Sequence, residues 1–169
     1  DVPFFTAGHG ASLIEGIGEH VTPLPAPDPP AGILLVTPAE RLSTASVFAE
    51  YDRQPAQGAL ERVDEVASLM RDGVDGMTLA ATTAMLKDAN DLWPSALRLL
   101  PELAALRASM AETIGHAVLL TGSGPTLVAV YPSEAAATRA AVTLQSAATA
   151  GLEGATIIST TTFGRAQEP

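Results

Sequence analysis

The strongest constraint on the fold comes from residues 119–132, which read LLTGSGPTLVAVYP. Two apolar runs flank the segment Gly122-Ser123-Gly124-Pro125, and this pattern predicts two antiparallel strands joined by a tight turn. Glycine adopts the positive φ that such turns need, and small residues also expose backbone N–H groups that can bind an anion. No Gly-Lys-Ser/Thr follows, so the segment is not a Walker A loop. The residues by themselves leave two interpretations open, a plain hairpin turn and a phosphate-binding loop.

Helices are predicted on both sides of this pair of strands. Upstream, Pro101 suits the first turn of a helix whose apolar residues recur at helical spacing, namely Leu99, Leu103, Leu106, Met110 and Ile114. Downstream, Ser133 is the predicted N-cap of a helix that carries Ala137, Ala141, Leu144 and Ala148 on one face.

The remaining elements complete an α+β pattern. Strands are predicted at 33–38 and 155–163, and a helix at 43–52 with Ser43 or Thr44 as its N-cap. Further helices are predicted at 77–87 and from the spacing of Leu60, Val63, Ala67 and Met70. Helices on one face of a mostly antiparallel sheet predict a ferredoxin-like two-layer sandwich.

The N-terminal part reads differently from the rest. Four glycines divide residues 1–22 into short apolar pieces, which predicts twisted strands and turns. Residues 23–32 then hold five prolines, a composition typical of a linker because proline lacks a backbone donor. We therefore expect a small β unit at 1–25 and a larger domain at 26–169.

Composition excludes several classes of function. The net charge is −10 with only nine Lys and Arg, so no basic patch is predicted for nucleic acid or for an anionic membrane surface. The absence of cysteine excludes disulfides, cysteine metal sites and thiol nucleophiles. No apolar run approaches the roughly 20 residues that cross a bilayer. A cytoplasmic protein is the expectation.

Few residues point to chemistry by themselves. Asp1 precedes an apolar run that would suit a general base, but taken alone it is first explained as a solvated terminal carboxylate. His9, His20 and His116 lack metal-ligand spacing, so no metal site is predicted. His9 lies in a glycine-rich segment, where both ligand contact and a solvent-exposed turn are open.

Two further segments have a structural interpretation first. The sequence Asn90-Asp91-Leu92 before Trp93 predicts a turn with Asp91 as the helix N-cap. Thr44 and Phe48 lie one helical turn apart and share a face, for which core packing of Phe48 is the default.

Taken together, five segments resemble the GHMP small-molecule kinases. In order they are DVPFF at 1–5, EGIGE at 15–19, LSTASVFAEYD at 42–52, NDLWPSALRLLPEL at 90–103 and LLTGSGPTLVAV at 119–130. The resemblance runs from Asp1 to about Phe163 and is greatest to the branch that acts on diphosphocytidyl methylerythritol in non-mevalonate isoprenoid synthesis. It implies an ATP-dependent kinase with a small-molecule substrate, phosphorylated on its 2-hydroxyl.

The resemblance also implies roles for individual residues. Asp1 is similar to the catalytic aspartate, and Gly122, Ser123 and Gly124 are similar to a glycine motif beside the phosphates. Thr44 and Phe48 resemble residues that line the cytidine and methylerythritol pocket, and the resemblance gives Ile17 an apolar contact there.

In the family an ATP loop, and a lysine that partners the catalytic aspartate, lie upstream of that aspartate. Neither occurs in the sequence. The resemblance therefore implies that an upstream N-terminal lobe binds ATP and Mg²⁺, and that this chain is a C-terminal portion, inactive alone. Two alternatives stay open. One is a GHMP kinase for a mevalonate-type or homoserine-like substrate, and the other is a non-catalytic ferredoxin-like binding or dimerisation module.

Overall fold

A computed structural model describes residues 2–7, 10–53, 60–86, 88–147 and 151–162. Within them, helices lie at Val2–Ala7 (α1), Thr44–Tyr51 (α2), Leu60–Arg71 (α3), Gly76–Thr83 (α4), Trp93–Leu99 (α5), Glu102–Ile114 (α6) and Glu134–Ser146 (α7). Strands lie at Ala11–Glu15 (β1), His20–Leu24 (β2), Gly32–Thr37 (β3), Leu119–Leu120 (β4), Leu127–Tyr131 (β5) and Thr156–Thr161 (β6). A turn of 3-10 helix, Ala84–Leu86, follows α4. The predictions for Asp1, Gly8, His9, Lys87, Ala148 and Phe163 fall outside the described residues.

The main sheet has four strands in the order β4-β5-β3-β6, and every neighbouring pair is antiparallel. Helices separate β3 from β4 and β5 from β6, so the chain follows the β-α-β-β-α-β order of ferredoxin-like folds. The predicted fold class is confirmed. Strand β3 is central and pairs with β5 from Gly32↔Tyr131 to Val36↔Leu127.

The hydrophobic core lies between one face of this sheet and helices α6 and α7. Side chains of β3 alternate between buried and half-buried, as expected for a strand with one face on a core. The fully buried large residues on this side are Leu34, Val36, Leu103, Met110, Val118, Leu127 and Leu144.

The opposite face of the sheet is partly covered by α4, where Ala80 packs against Ala31 and Val130. Helices therefore lie on both faces, an addition to the predicted arrangement. The β1–β2 hairpin forms a separate antiparallel sheet, from Ala11↔Leu24 to Glu15↔His20, and contacts α1 and α3. No helix in the described part of the chain is long and apolar enough to span a membrane.

Capping side chains set several helix ends. The hydroxyls of Ser43 and Ser133 accept hydrogen bonds from the backbone N–H groups of Ser46 and Ala136. The predicted cap Ser133 is confirmed, and of the two candidates Ser43 and Thr44 the cap is Ser43. Helix α4 begins after Asp75, whose carboxylate accepts the Thr78 N–H at 2.7 Å. This backbone hydrogen bond holds the pKa of Asp75 below its usual value.

Three local predictions were wrong. Residues 2–7 form a helix rather than a strand, and the Thr6 hydroxyl donates to backbone carbonyls one turn back. Leu99 ends α5, a separate helix, because the chain leaves helical geometry at Leu100 before α6. Asp91 is not the N-cap of α5, since Leu92 holds that position without a side-chain cap.

Tyr131 is a buried residue with an unusual polar group. Its ring stacks on His116 at a centroid distance of 4.5 Å, and the side-chain nitrogen Nε2 of His116 lies 2.6 Å from the Val130 carbonyl oxygen. Within the described residues the buried Tyr131 hydroxyl has no hydrogen-bond partner. Burial raises the pKa of Tyr131 to about 12.

We expect Tyr131→Phe to stabilise the protein by about 1 kcal/mol, because it removes a buried hydroxyl without a partner and keeps the ring stack. Tyr131→Leu is the control and should destabilise, since it removes the stack. A second effect depends on pH. Because the fold favours the neutral phenol over the phenolate, the free energy of unfolding keeps its full value below pH 10.0 and falls as the pH rises to about 12. Urea unfolding across this range would measure both effects, and a large loss of stability in Tyr131→Phe at neutral pH would show that the hydroxyl is bonded.

Candidate functional site

The candidate site is built around the loop between β4 and β5, residues 121–126, called here the glycine loop. The Thr121 N–H donates to the Thr126 carbonyl at 3.0 Å, and the Gly124 N–H donates to the Thr121 carbonyl at 3.0 Å. Gly122 and Gly124 have φ of 55° and 78°, which side chains with a β-carbon rarely adopt. The turn predicted between two strands is therefore present, and glycine is what permits it.

The side chain of Asn90 holds the glycine loop in place. Its Nδ2 donates to the carbonyl of Leu120 at 3.0 Å and to that of Gly122 at 2.9 Å. Its Oδ1 accepts the Leu92 N–H at 2.9 Å, so the orientation of the amide is fixed by all of these partners. From the sequence, Asn90 was placed in a turn and in a segment that carries the kinase resemblance, without a role of its own. The connection to the loop was missed because the loop lies 30 residues further along the chain.

The first residue of helix α2, Thr44, contacts the glycine loop. The Thr44 hydroxyl lies 3.0 Å from the Ser123 hydroxyl, with either atom able to donate. A second hydroxyl pair, Thr37 and Thr126 at 2.9 Å, joins the end of β3 to the end of the loop. The structure thus brings together Thr44 and the glycine motif, which were predicted as substrate-binding and phosphate-binding residues respectively.

Phe48 lies one helical turn after Thr44 and is 49% exposed, whereas its neighbour Val47 is fully buried. Core packing, the default expected for Phe48 from the sequence, is therefore wrong. An exposed aromatic ring on the helix that carries Thr44 offers a stacking surface for a planar ring. The function of Phe48 as a pocket residue stays a prediction.

The other predicted site residues are not joined to this cluster by the described contacts. Ile17 lies in the turn of the β1–β2 hairpin and is 98% exposed. Its backbone N–H donates to Glu19, and the hairpin contacts α1 and α3. Asp1 and His9 lie outside the described residues.

An ion pair joins α2 to α5. Glu50, whose side chain is 16% exposed, pairs with Arg98 of α5 at 2.9 Å and with Arg53 at 3.0 Å. Because α5 begins three residues after Asn90, the pair with Arg98 ties the helix that carries Thr44 to the segment that holds the loop. Partly buried, multiply paired carboxylates of this kind order side chains more than single surface pairs do.

Among the described residues, no group of three or more His, Asp or Glu side chains could hold a metal ion. The loop itself offers backbone N–H groups and hydroxyls, which suit an anion rather than a cation. These residues therefore do not fit a Mg²⁺ site.

Comparison with known proteins identifies the class. Residues 79–149 match the family described as GHMP kinases C terminal. A solved 4-(cytidine 5'-diphospho)-2C-methyl-D-erythritol kinase superposes on 97% of this chain and 54% of that chain with a TM-score of 0.62 and 25% identity. A homoserine kinase from Cytophaga hutchinsonii superposes with the same TM-score at 14% identity, over 86% of this chain and 45% of that chain, a likeness of fold alone. The chain carries a GHMP kinase C-terminal domain.

Curated relatives extend the likeness to nearly the whole chain. It is 33% identical over 148 residues to the 4-diphosphocytidyl-2-C-methyl-D-erythritol kinase of Moorella thermoacetica, covering 86% of this chain and 49% of that protein. A Cereibacter sphaeroides protein of the same name is 35% identical over 145 residues, covering 83% of this chain and 48% of that protein. The chain thus spans about half the length of the curated relatives it matches.

The two glycines of the loop give a stability prediction. Gly122→Ala should destabilise the protein by about 1 kcal/mol, the cost of positive φ for a side chain, since nothing lies within 4 Å of the added carbon. Gly124→Ala should cost more, because its β-carbon would lie 2.7 Å from Leu120 Cδ1. Equal losses in urea unfolding would show that Leu120 moves aside freely.

Proposed function

We propose that this chain is the C-terminal part of an ATP-dependent kinase that phosphorylates the 2-hydroxyl of 4-diphosphocytidyl-2-C-methyl-D-erythritol in non-mevalonate isoprenoid precursor synthesis. The similarity to kinases of that name over more than four-fifths of the chain supports the proposal. The observation that carries it is the 3.0 Å contact between Thr44 and Ser123. The helix face expected to line the substrate pocket therefore adjoins the loop expected to lie beside the phosphates.

The proposed roles follow from positioning. Phosphoryl transfer depends mostly on placing the hydroxyl in line with the γ-phosphate and on neutralising charge. Asp1 orients the 2-hydroxyl and accepts its proton as the oxygen–phosphorus bond forms and the bond to the ADP oxygen breaks. The backbone of Gly122, Ser123 and Gly124 borders the phosphates, Thr44 and Phe48 hold the cytidine and methylerythritol parts, and Ile17 adds an apolar contact.

ATP supplies the phosphoryl group, with Mg²⁺ to neutralise its charge, and both are assigned in this proposal to an upstream lobe. The sequence contains no Gly-Leu-Gly-Gly-Gly-Ser-Ser loop of the family type. We propose that residues 1–25 belong with that lobe and that residues 26–169 form the C-terminal domain. The 169-residue chain alone is then inactive.

The first test compares the longer protein that carries this chain with the 169-residue chain itself. We expect ATP-dependent phosphorylation of 4-diphosphocytidyl-2-C-methyl-D-erythritol by the former and none by the latter. Homoserine and mevalonate serve as competing substrates, because the homoserine kinase likeness leaves the fold open to them. Turnover of either one in preference would replace the proposed substrate. Calorimetry with cytidine nucleotides on the 169-residue chain alone tests the non-catalytic alternative. Specific binding to that chain, together with no turnover by the longer protein, would favour it.

Asp1→Asn in the longer protein should lower kcat by at least about a hundredfold, because the amide cannot accept the hydroxyl proton. KM for ATP should change little. The control is Asp72→Asn, an exposed carboxylate after α3, which should behave as the wild type. A wild-type kcat in Asp1→Asn would remove Asp1 from the catalytic role and leave the kinase assignment to the substrate assay.

Phe48→Ala should raise KM for the cytidine substrate about tenfold or more, the effect expected when an aromatic ring that stacks on a base is removed. KM for ATP should stay near the wild-type value. Val142→Ala is the matched control, since Val142 is a similarly exposed apolar side chain on α7. Unchanged KM for the cytidine substrate would place the base elsewhere.

A further inference from the structure

We propose that Arg107 is a positioning residue that holds the glycine loop through Asn90. The inference rests on the proposed function for its effect on catalysis, and on geometry alone for its effect on the loop.

The side chain of Arg107, on α6, contacts two segments of the chain, residues 88–93 and the residue before β4. Its Nε donates to the Val118 carbonyl at 2.8 Å, just before β4. Its Nη2 donates to Asp88 Oδ1 at 3.1 Å, and its guanidinium carbon lies 4.6 Å from the centre of the Trp93 ring. The Arg107 side chain is only 15% exposed, so these contacts are held in a largely desolvated place.

The contacts of Arg107 bracket Asn90. Asp88 precedes Asn90 by two residues and Trp93 follows it by three, so one guanidinium contacts both ends of the segment 88–93, called here the turn. The same guanidinium holds Val118, two residues before the Leu120 carbonyl that Asn90 binds. Arg107 and Asn90 therefore bridge the same pair of segments, the turn and β4.

This arrangement makes the two bridges depend on each other. The Asn90 amide reaches the carbonyls of Leu120 and Gly122 only at one separation between the turn and the strand. A planar guanidinium sets such a separation better than an ammonium, because its fork of donors and its flat face engage several groups at fixed angles. Salt bridging with Asp88 alone would not need this geometry, since that carboxylate is 56% exposed.

The test is a double-mutant cycle with Asn90→Ala, Arg107→Met and the double variant. Arg107→Met keeps an apolar stem of similar length, and Arg107→Lys keeps the charge without the fork. The first readout is hydrogen exchange of the Thr121 and Gly124 amides, which close the loop. We expect each single variant to speed this exchange about tenfold, the double variant to add nothing further, and Arg107→Lys to restore it only in part.

The second readout is kinetic, in the longer protein. Arg107→Met should lower kcat and raise KM for ATP in the same ratio as Asn90→Ala does, with KM for the cytidine substrate held within about twofold. Arg139→Met is the control, an exposed arginine on α7 that should change neither readout. If the longer protein has no kinase activity, the exchange experiment still decides the positioning role.

Two results would overturn the inference. One is wild-type exchange at Thr121 and Gly124 in Arg107→Met, and the other is an additive effect of the two substitutions. In either case Arg107 would stabilise the fold without positioning the glycine loop, and its variants would lower only the free energy of unfolding.

Discussion

The antiparallel pairing of β3 with β5 is the constraint on which the candidate site depends. Its register places Val36, near the end of β3, opposite Leu127, the first residue of β5. The chain leaves β3 toward α2 and enters β5 from the glycine loop, so both arrive at the same edge of the sheet. The contact between Thr37 and Thr126 closes this corner, and Thr44 then meets Ser123. The site is a consequence of sheet topology.

The hydrophobic core fixes that register. Leu34 and Val36 on β3, and Leu127 on β5, are completely buried against α6 and α7. A slip of one residue would turn this set toward the other face of the sheet and expose it. Burial of apolar side chains, the largest favourable contribution to folding, therefore also determines where the polar groups of the loop lie. The same helix, α6, supplies Leu103 to the core and Arg107 to the turn.

The placement of apolar residues along the sequence predicted several of the helices and strands. A continuous apolar run predicted β3, helical spacing predicted α6 and α7, Ser133 was predicted as a cap, and Ser43 was one of two candidates for the other cap. Residues 2–7 were misread because so short an apolar run distinguishes poorly between helix and strand. Asn90 shows the limit for the site, because its local sequence predicts a turn, while its function as a clamp depends on a loop brought near by the sheet. The roles of Asp1 and Ile17 stay predictions.

Several large apolar side chains are exposed in the N-terminal segment, residues 1–25, which is assigned above to an upstream lobe. Val2 is 73% exposed, Phe5 77% and Ile17 98%, and all of them lie in the segment assigned to an upstream lobe. Isolated apolar residues on a surface are ordinary, but several large ones on one short segment indicate a face that another part of a protein covers. The curated relatives are about twice the length of the matched region. An upstream lobe packed on α1 and the hairpin would bury these side chains and bring the segment next to Asp1 against the ATP-binding half. A covering lobe would therefore account for the exposure of Val2, Phe5 and Ile17, while the boundary at residue 25 stays a prediction.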